Sequence, residues 1–198
     1  MVYKSTIKSR PYLYKETKKA ATLIKQGSTV NEIKIKSIED NIFQLESETR
    51  KKEVASIIAA RLKELDKFVI SKISEGNVET SKVLVLYAII KTDRLFFEFM
   101  NEVYKEKLLL RDLFLRDKDF NAFFQSKREQ SDKVASWTEN TFKKLKQVYV
   151  RILFECRLIE NQKGDREIKI PILENEVKDY LYEIGDKIYI NAILGDRE

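Results

Sequence analysis

Between Thr138 and Cys156 the apolar residues fall at Phe142, Leu145, Val148, Tyr149, Ile152, Leu153 and Cys156. Steps of three and four persist through the stretch, which makes it a helix with one buried face. At about 100° per residue, the opposite face carries Asn140, Lys143, Lys144, Gln147 and Arg151. Amides and cations of this kind bind base edges and phosphates. A short segment, 131–137, precedes the helix. Leu158-Ile159, a polar turn at 162–165, Glu167-Ile168-Lys169-Ile170 and Pro171 follow it. Short helix, tight turn, long helix and small hairpin is the order of a winged helix-turn-helix. An amphipathic helix with a solvated basic face has the same pattern, so the stretch by itself leaves both readings open.

The rest of the chain is also predicted to be helical. Five glycines and two prolines in 198 residues leave few tight turns. Residues 12–26 read as a helix stopped by Gly27, and Ser28 or Thr29 caps a second helix over 30–38. A long helix is expected from Ser47 to about Ile73, with Val54, Ile57, Ile58, Leu62, Leu65, Val69 and Ile73 on its apolar side. The run 83–90 is apolar throughout and flanked by Lys82 and Lys91. It is far short of the roughly 20 residues a bilayer requires and reads as a central core helix. Asp93 caps the segment Arg94-Leu95-Phe96-Phe97-Glu98-Phe99-Met100, whose aromatics have core spacing rather than the spacing of a base-stacking platform. Residues 171–184 form an acidic amphipathic segment, and 187–190 alternate as a short strand would. The expected fold is therefore mainly α. A helical domain at 1–116 with a basic arm precedes a winged helix-turn-helix-like domain at 117–198 with a small β-hairpin and an acidic tail.

Charge is distributed unevenly. Residues 1–36 carry nine Lys/Arg against two acids, and residues 117–170 carry twelve against nine. Residues 171–198 carry three against seven. Two basic regions suit a polyanion. There is no histidine and one cysteine. This removes Ser-His and Cys-His nucleophile pairs and the common zinc and iron–sulfur ligand sets. The glycines are isolated, so no phosphate-cradling loop is present. A non-enzymatic protein without a cofactor or metal is expected. Cys156, on an apolar helix face, reads as a buried thiol in a reducing, cytoplasmic setting.

Several short motifs carry a family resemblance over nearly the whole chain. They are Glu16-Thr17, Asn31-Glu32-Ile33, Glu39-Asp40-Asn41-Ile42-Phe43-Gln44, Arg61-Leu62 and Thr92-Asp93-Arg94-Leu95-Phe96-Phe97-Glu98-Phe99. Phe123-Phe124, Lys127, Trp137-Thr138, Thr141, Lys144-Leu145, Ile152-Leu153, Glu155 and Leu158-Ile159 continue the set. In order and spacing they resemble the BrxA family, a component of BREX bacteriophage-exclusion systems. The family pattern has Gly where this chain has Arg157. The resemblance implies a mostly helical, cytoplasmic protein that binds double-stranded DNA beside other BREX proteins. Methylation of host DNA and the block to phage replication would belong to those partners. It implies no catalytic residue.

The DNA-contact residues follow from helical geometry. Asn140 and Gln147 face base edges, and Lys143, Lys144 and Arg151 face phosphates. Lys163, Arg166 and Lys169 form a basic wing, and Lys4, Lys8 and Arg10 form the arm. Two other readings fit the same residues: a protein–protein adaptor that docks through the acidic segment, and an RNA-binding helical protein. No membrane partner is expected.

Overall fold

A computed structural model describes residues 2–9 and 11–195. The chain is mainly helical and divides into two compact units, Leu13–Thr92 on one side and Met1–Tyr12 with Asp93–Glu198 on the other. The expected boundary at 116 falls inside the second unit. The aromatic segment before it packs on helices after it, so no gap in contacts opens there.

The first unit contains α1 (Tyr14–Lys25), α2 (Val30–Glu39), α3 (Glu48–Leu62), α4 (Lys67–Glu75) and α5 (Val78–Thr92). Thr29 caps α2 in a capping box: its hydroxyl accepts from the Glu32 N–H, and its own N–H donates to the Glu32 carboxylate at 2.6 Å. Residues 83–90 of α5 are all buried, and α1, α3 and α4 pack on that helix. Burial on every side explains why this segment has no polar stripe. The long helix expected over 47–73 is two helices. Tight bonds from Glu64 N–H to Arg61 O and Leu65 N–H to Leu62 O close α3, and Asp66 caps α4 by accepting from the Val69 N–H at 3.0 Å. At the start of α3, Glu48 and Glu53 pair with Lys51 and Arg50. They offset the cations at the positive end of the dipole.

The second unit begins with a 3-10 turn, Thr6–Ser9. After Asp93, α6 (Arg94–Phe99), a π-helical turn (Met100–Tyr104) and α7 (Lys105–Leu110) run without interruption. Then come β1 (Phe114–Leu115), α8 (Asp117–Gln130), α9 (Asp132–Ala135), α10 (Glu139–Glu155), β2 (Arg166–Glu167), α11 (Asn175–Glu183) and α12 (Lys187–Leu194). Phe96 and Phe99 of α6 are core, as their spacing predicts, and Phe97 is half-buried. Phe99 stacks on Phe120 at 4.8 Å and meets Tyr149 at 5.3 Å, and Phe96 meets Tyr149 at 4.5 Å. The strands pair antiparallel, Phe114 with Glu167 and Leu115 with Arg166. Ile159 bridges Ile168, and Glu160 N–H to Glu167 O and Lys169 N–H to Leu158 O complete the hairpin. Residues 187–190, expected as a strand, are helical. Burial of Ile190 and Ile193 fixes a period of three that four alternating residues cannot reveal.

A buried ionic cluster fastens the N-terminal segment to this unit. Glu98 accepts from the Tyr3 hydroxyl at 2.8 Å, from Arg94 Nε at 2.7 Å and from Lys127 Nζ at 2.9 Å. Lys127 is 3% exposed and also pairs with Glu102, while Arg94 lies over the Tyr3 ring. Burial pushes the Glu98 carboxyl up, but the hydrogen bonds from Lys127, Arg94 and Tyr3 outweigh it and leave it below its usual range.

Candidate nucleic-acid interface

Helix α10 is built from both ends by local rules. Thr138 caps it through the Thr141 N–H at 3.3 Å. Trp137, just outside the cap, packs on Phe142 at 6.0 Å, one turn inside, which is the hydrophobic staple that fixes the angle of entry. At the far end Arg157 adopts a left-handed conformation, φ 66°. Its N–H bonds Phe154 O and the Leu158 N–H bonds Leu153 O, a Schellman closure with both leucines buried. The family pattern's Gly belongs at this backbone position.

The two faces match the periodicity. Phe142, Leu145, Tyr149, Ile152, Leu153 and Cys156 are buried. Asn140, Lys143, Lys144, Gln147 and Arg151 are all exposed. Among the described residues none of these five is in a hydrogen bond or ion pair of its side chain. Glu139, an acid in the first turn, is neutralised by Arg128 at 2.7 Å, and Arg128 itself lies over the Phe142 ring. Lys146, at the edge of the exposed face, is taken up by Asp117 at 2.7 Å.

The hairpin is only partly the basic wing expected. Lys163 sits exposed on its turn. Gly164 makes that turn at φ 68°, and Asn161 braces it by accepting the Glu167 N–H and donating to Asp165 O. Lys169 is accessible but bonded to Glu167 at 2.7 Å, which raises its pKa. Arg166 does not belong to any surface, because it is 5% exposed and points inward. Its guanidinium donates to Asp117 Oδ1 at 2.9 Å and to the carbonyls of Leu115 and Gln162. A cation desolvated this far is held by its carboxylate and cannot reach a phosphate. On the N-terminal segment Lys4 is exposed, and the 3-10 turn packs against α10. The Lys8 side chain and Arg10 lie outside the described residues.

Asp117 matters here although no motif or periodicity singles it out. It holds Lys146 and Arg166 at once, and its carboxyl is lowered by the hydrogen bond from Lys146 first and that from Arg166 second. The Arg166 contact spans 49 residues, which no local periodicity can register. Among the described residues no group of three or more His, Cys, Asp or Glu is placed to hold a metal ion. No helix among them is long and apolar enough to cross a membrane.

Comparison with known proteins agrees with the resemblance. The BrxA family profile matches residues 1–185. The BREX protein BrxA of Bacillus cereus (strain H3081.97) is 55% identical over 195 residues, covering 98% of both chains. The BREX protein BrxA of Paramagnetospirillum magneticum (strain AMB-1) is 24% identical over 191 residues, covering 96% of both. A crystal structure of an uncharacterized protein from Magnetospirillum magneticum has the same fold, with a TM-score of 0.82 at 24% identity over 98% of this chain and 99% of that one. A profile match over nearly the whole length, with a relative this similar, means that the chain belongs to the BrxA family.

Proposed function

We propose that this protein is a non-enzymatic, double-stranded DNA-binding accessory subunit of a BREX phage-defence system, working in the cytoplasm beside other BREX proteins. The BREX assignment is supported by its similarity to the BREX proteins BrxA of Bacillus cereus and Paramagnetospirillum magneticum. One observation carries the DNA-binding reading. Lys143, Lys144 and Arg151 stand exposed on one helix face without side-chain partners among the described residues, while cations such as Lys127, Lys146 and Arg166 are neutralised by carboxylates. Strand, three helices and hairpin follow one another in the order of a winged helix. In this reading α10 enters the major groove. Asn140 and Gln147 meet base edges, and Lys143, Lys144, Arg151, Lys163 and Lys4 meet phosphates. Most of these contacts are to the backbone, so they position the protein more than they specify sequence.

Fluorescence anisotropy with a duplex of about 30 base pairs, a single strand and an RNA duplex, from roughly 50 to 200 mM salt, tests the reading. About five phosphate contacts give a log–log slope between −4 and −5. Lys143→Glu with Lys144→Glu is expected to abolish duplex binding. A wild-type chain that ignores the DNA duplex at the lowest salt, or prefers RNA, refutes it. A second reading, a protein–protein adaptor, is favoured by Ile170 and Ile172, 63% and 73% exposed on either side of Pro171. Under that reading the wild-type chain binds BREX partners without binding the duplex, and Lys143→Glu with Lys144→Glu changes neither.

A further inference from the structure

We infer that Asp117 is the positioning residue that fixes the hairpin turn relative to α10, so that Lys163 reaches the same polyanion as Lys143 and Lys144. This inference rests on the DNA-binding reading and adds to it the part that makes two separate basic elements act together.

Asp117 is the first residue of α8. Its Oδ2 accepts from Lys146 Nζ at 2.7 Å, on the flank of the exposed face of α10. Its Oδ1 accepts from Arg166 Nη1 at 2.9 Å, on the second strand of the hairpin. One carboxylate therefore joins α8, α10 and the hairpin. Arg166 acts as a peg. Its guanidinium bonds the Leu115 carbonyl on β1 and the Gln162 carbonyl at the turn, and it lies over the Phe120 ring at 5.6 Å. The neighbouring Arg116 bonds Asp165 at 3.2 Å, next to the turn glycine. The hairpin is short and has few ladder bonds of its own, and an isolated hairpin of that size is marginal. Side-chain bonds therefore supplement the strand pairing that holds Lys163 in place. Two contacts on one ligand reinforce each other only when their spacing is held; otherwise the gain is lost to ordering the loose one.

The sign of the effect separates this role from plain charge. Asp117→Asn raises the net charge by one and removes an acid beside the phosphate-facing surface. Electrostatics alone makes the variant bind DNA more tightly. The positioning role makes it bind more weakly, with the salt slope reduced by about 0.9, the contribution of one phosphate contact. Lys163→Gln supplies the coupling test. In the wild-type background it reduces the slope by about 0.9, and in the Asp117→Asn background it changes nothing. Asp117→Asn strands a buried cation, so the paired change Asp117→Asn with Arg166→Met is measured as well. That pair leaves the net charge unaltered and orphans no deeply buried charge, since Lys146 is exposed enough to be hydrated, and Lys163→Gln is expected to be silent there too. Hydrogen exchange at the Ile168 and Lys169 amides, bonded to Leu113 and Leu158, is expected to speed up in both backgrounds. Lys163→Gln costing its full contact in both backgrounds overturns the inference while leaving DNA binding intact. A wild-type chain that binds no duplex overturns the binding reading beneath it.

Discussion

Glu98→Gln tests the buried ionic cluster at its centre. The carboxylate side chain is 14% exposed and receives three donors, whereas Lys127 beside it is 3% exposed. The amide keeps the shape but has one acceptor oxygen. Placed at the Oε2 position, it still serves Tyr3 and Lys127, and Arg94 loses its bond to Oε1. Arg94 is well enough exposed to rehydrate. The main cost is electrostatic, since Lys127 keeps only Glu102 as a counter-charge. Removing one partner of a buried pair costs about 3–5 kcal/mol, and the surviving Glu102 places this case at about 3 kcal/mol. For a chain of 198 residues that is a fall in Tm of roughly 6–12 °C by calorimetry or circular dichroism. The pH dependence has a definite sign. Glu98 has a depressed folded pKa, so its contribution is complete above its ordinary value of 4.5 and is lost as pH falls through the folded value. The deficit of Glu98→Gln is therefore full at pH 7 and shrinks below about pH 4.5. Adding Lys127→Met removes the stranded cation and should recover part of the loss. A Tm change below about 2 °C at pH 7, or a double variant whose losses simply add, refutes the cluster reasoning.

Two further outcomes concern the helix ends. Arg157→Gly relieves a left-handed side chain at the end of α10. It is expected to raise the urea midpoint, gaining up to about 1 kcal/mol net of glycine's larger unfolded-state entropy; a loss of stability would contradict the Schellman assignment. Asp66→Ala removes the cap of α4 and should cost about 1 kcal/mol in the same measurement. No loss there would mean that α3 and α4 are separated by something other than that cap.

What could be read from the sequence was whatever repeats at short range. The two faces of α10 were fixed by seven apolar positions in steps of three and four. The core role of Phe96 and Phe99 followed from their spacing. The break between α3 and α4 was hidden because Leu62, Leu65, Val69 and Ile73 stay in phase across it. The helix at 187–194 was hidden because four residues can satisfy two periods at once. Glu167 and Lys169 alternate with Ile168 and Ile170 as strand residues should, and Arg166 falls on the side of Ile168; it is buried there with Ile168, yet Ile170 is exposed. The pairing of that strand with β1 on one side and Ile159 on the other decides which side faces in, and a single strand does not encode its neighbours. Asp117 was invisible for the same reason, because its meaning lies entirely in residues far along the chain.

The bond between Tyr3 and Glu98 also has a consequence for synthesis on the ribosome. The two residues are separated by 95 positions, with a complete compact unit encoded between them. At about 5–20 residues per second, roughly 5–20 s pass between the emergence of Tyr3 and that of its acceptor. During that interval the internal contacts of the Leu13–Thr92 helices are free to form. The leading segment must wait, its tyrosine without a carboxylate, until α6 and then Lys127 have been made. Vectorial production thus imposes an order on assembly in which a segment made before the Leu13–Thr92 unit is fastened only after that unit has been made.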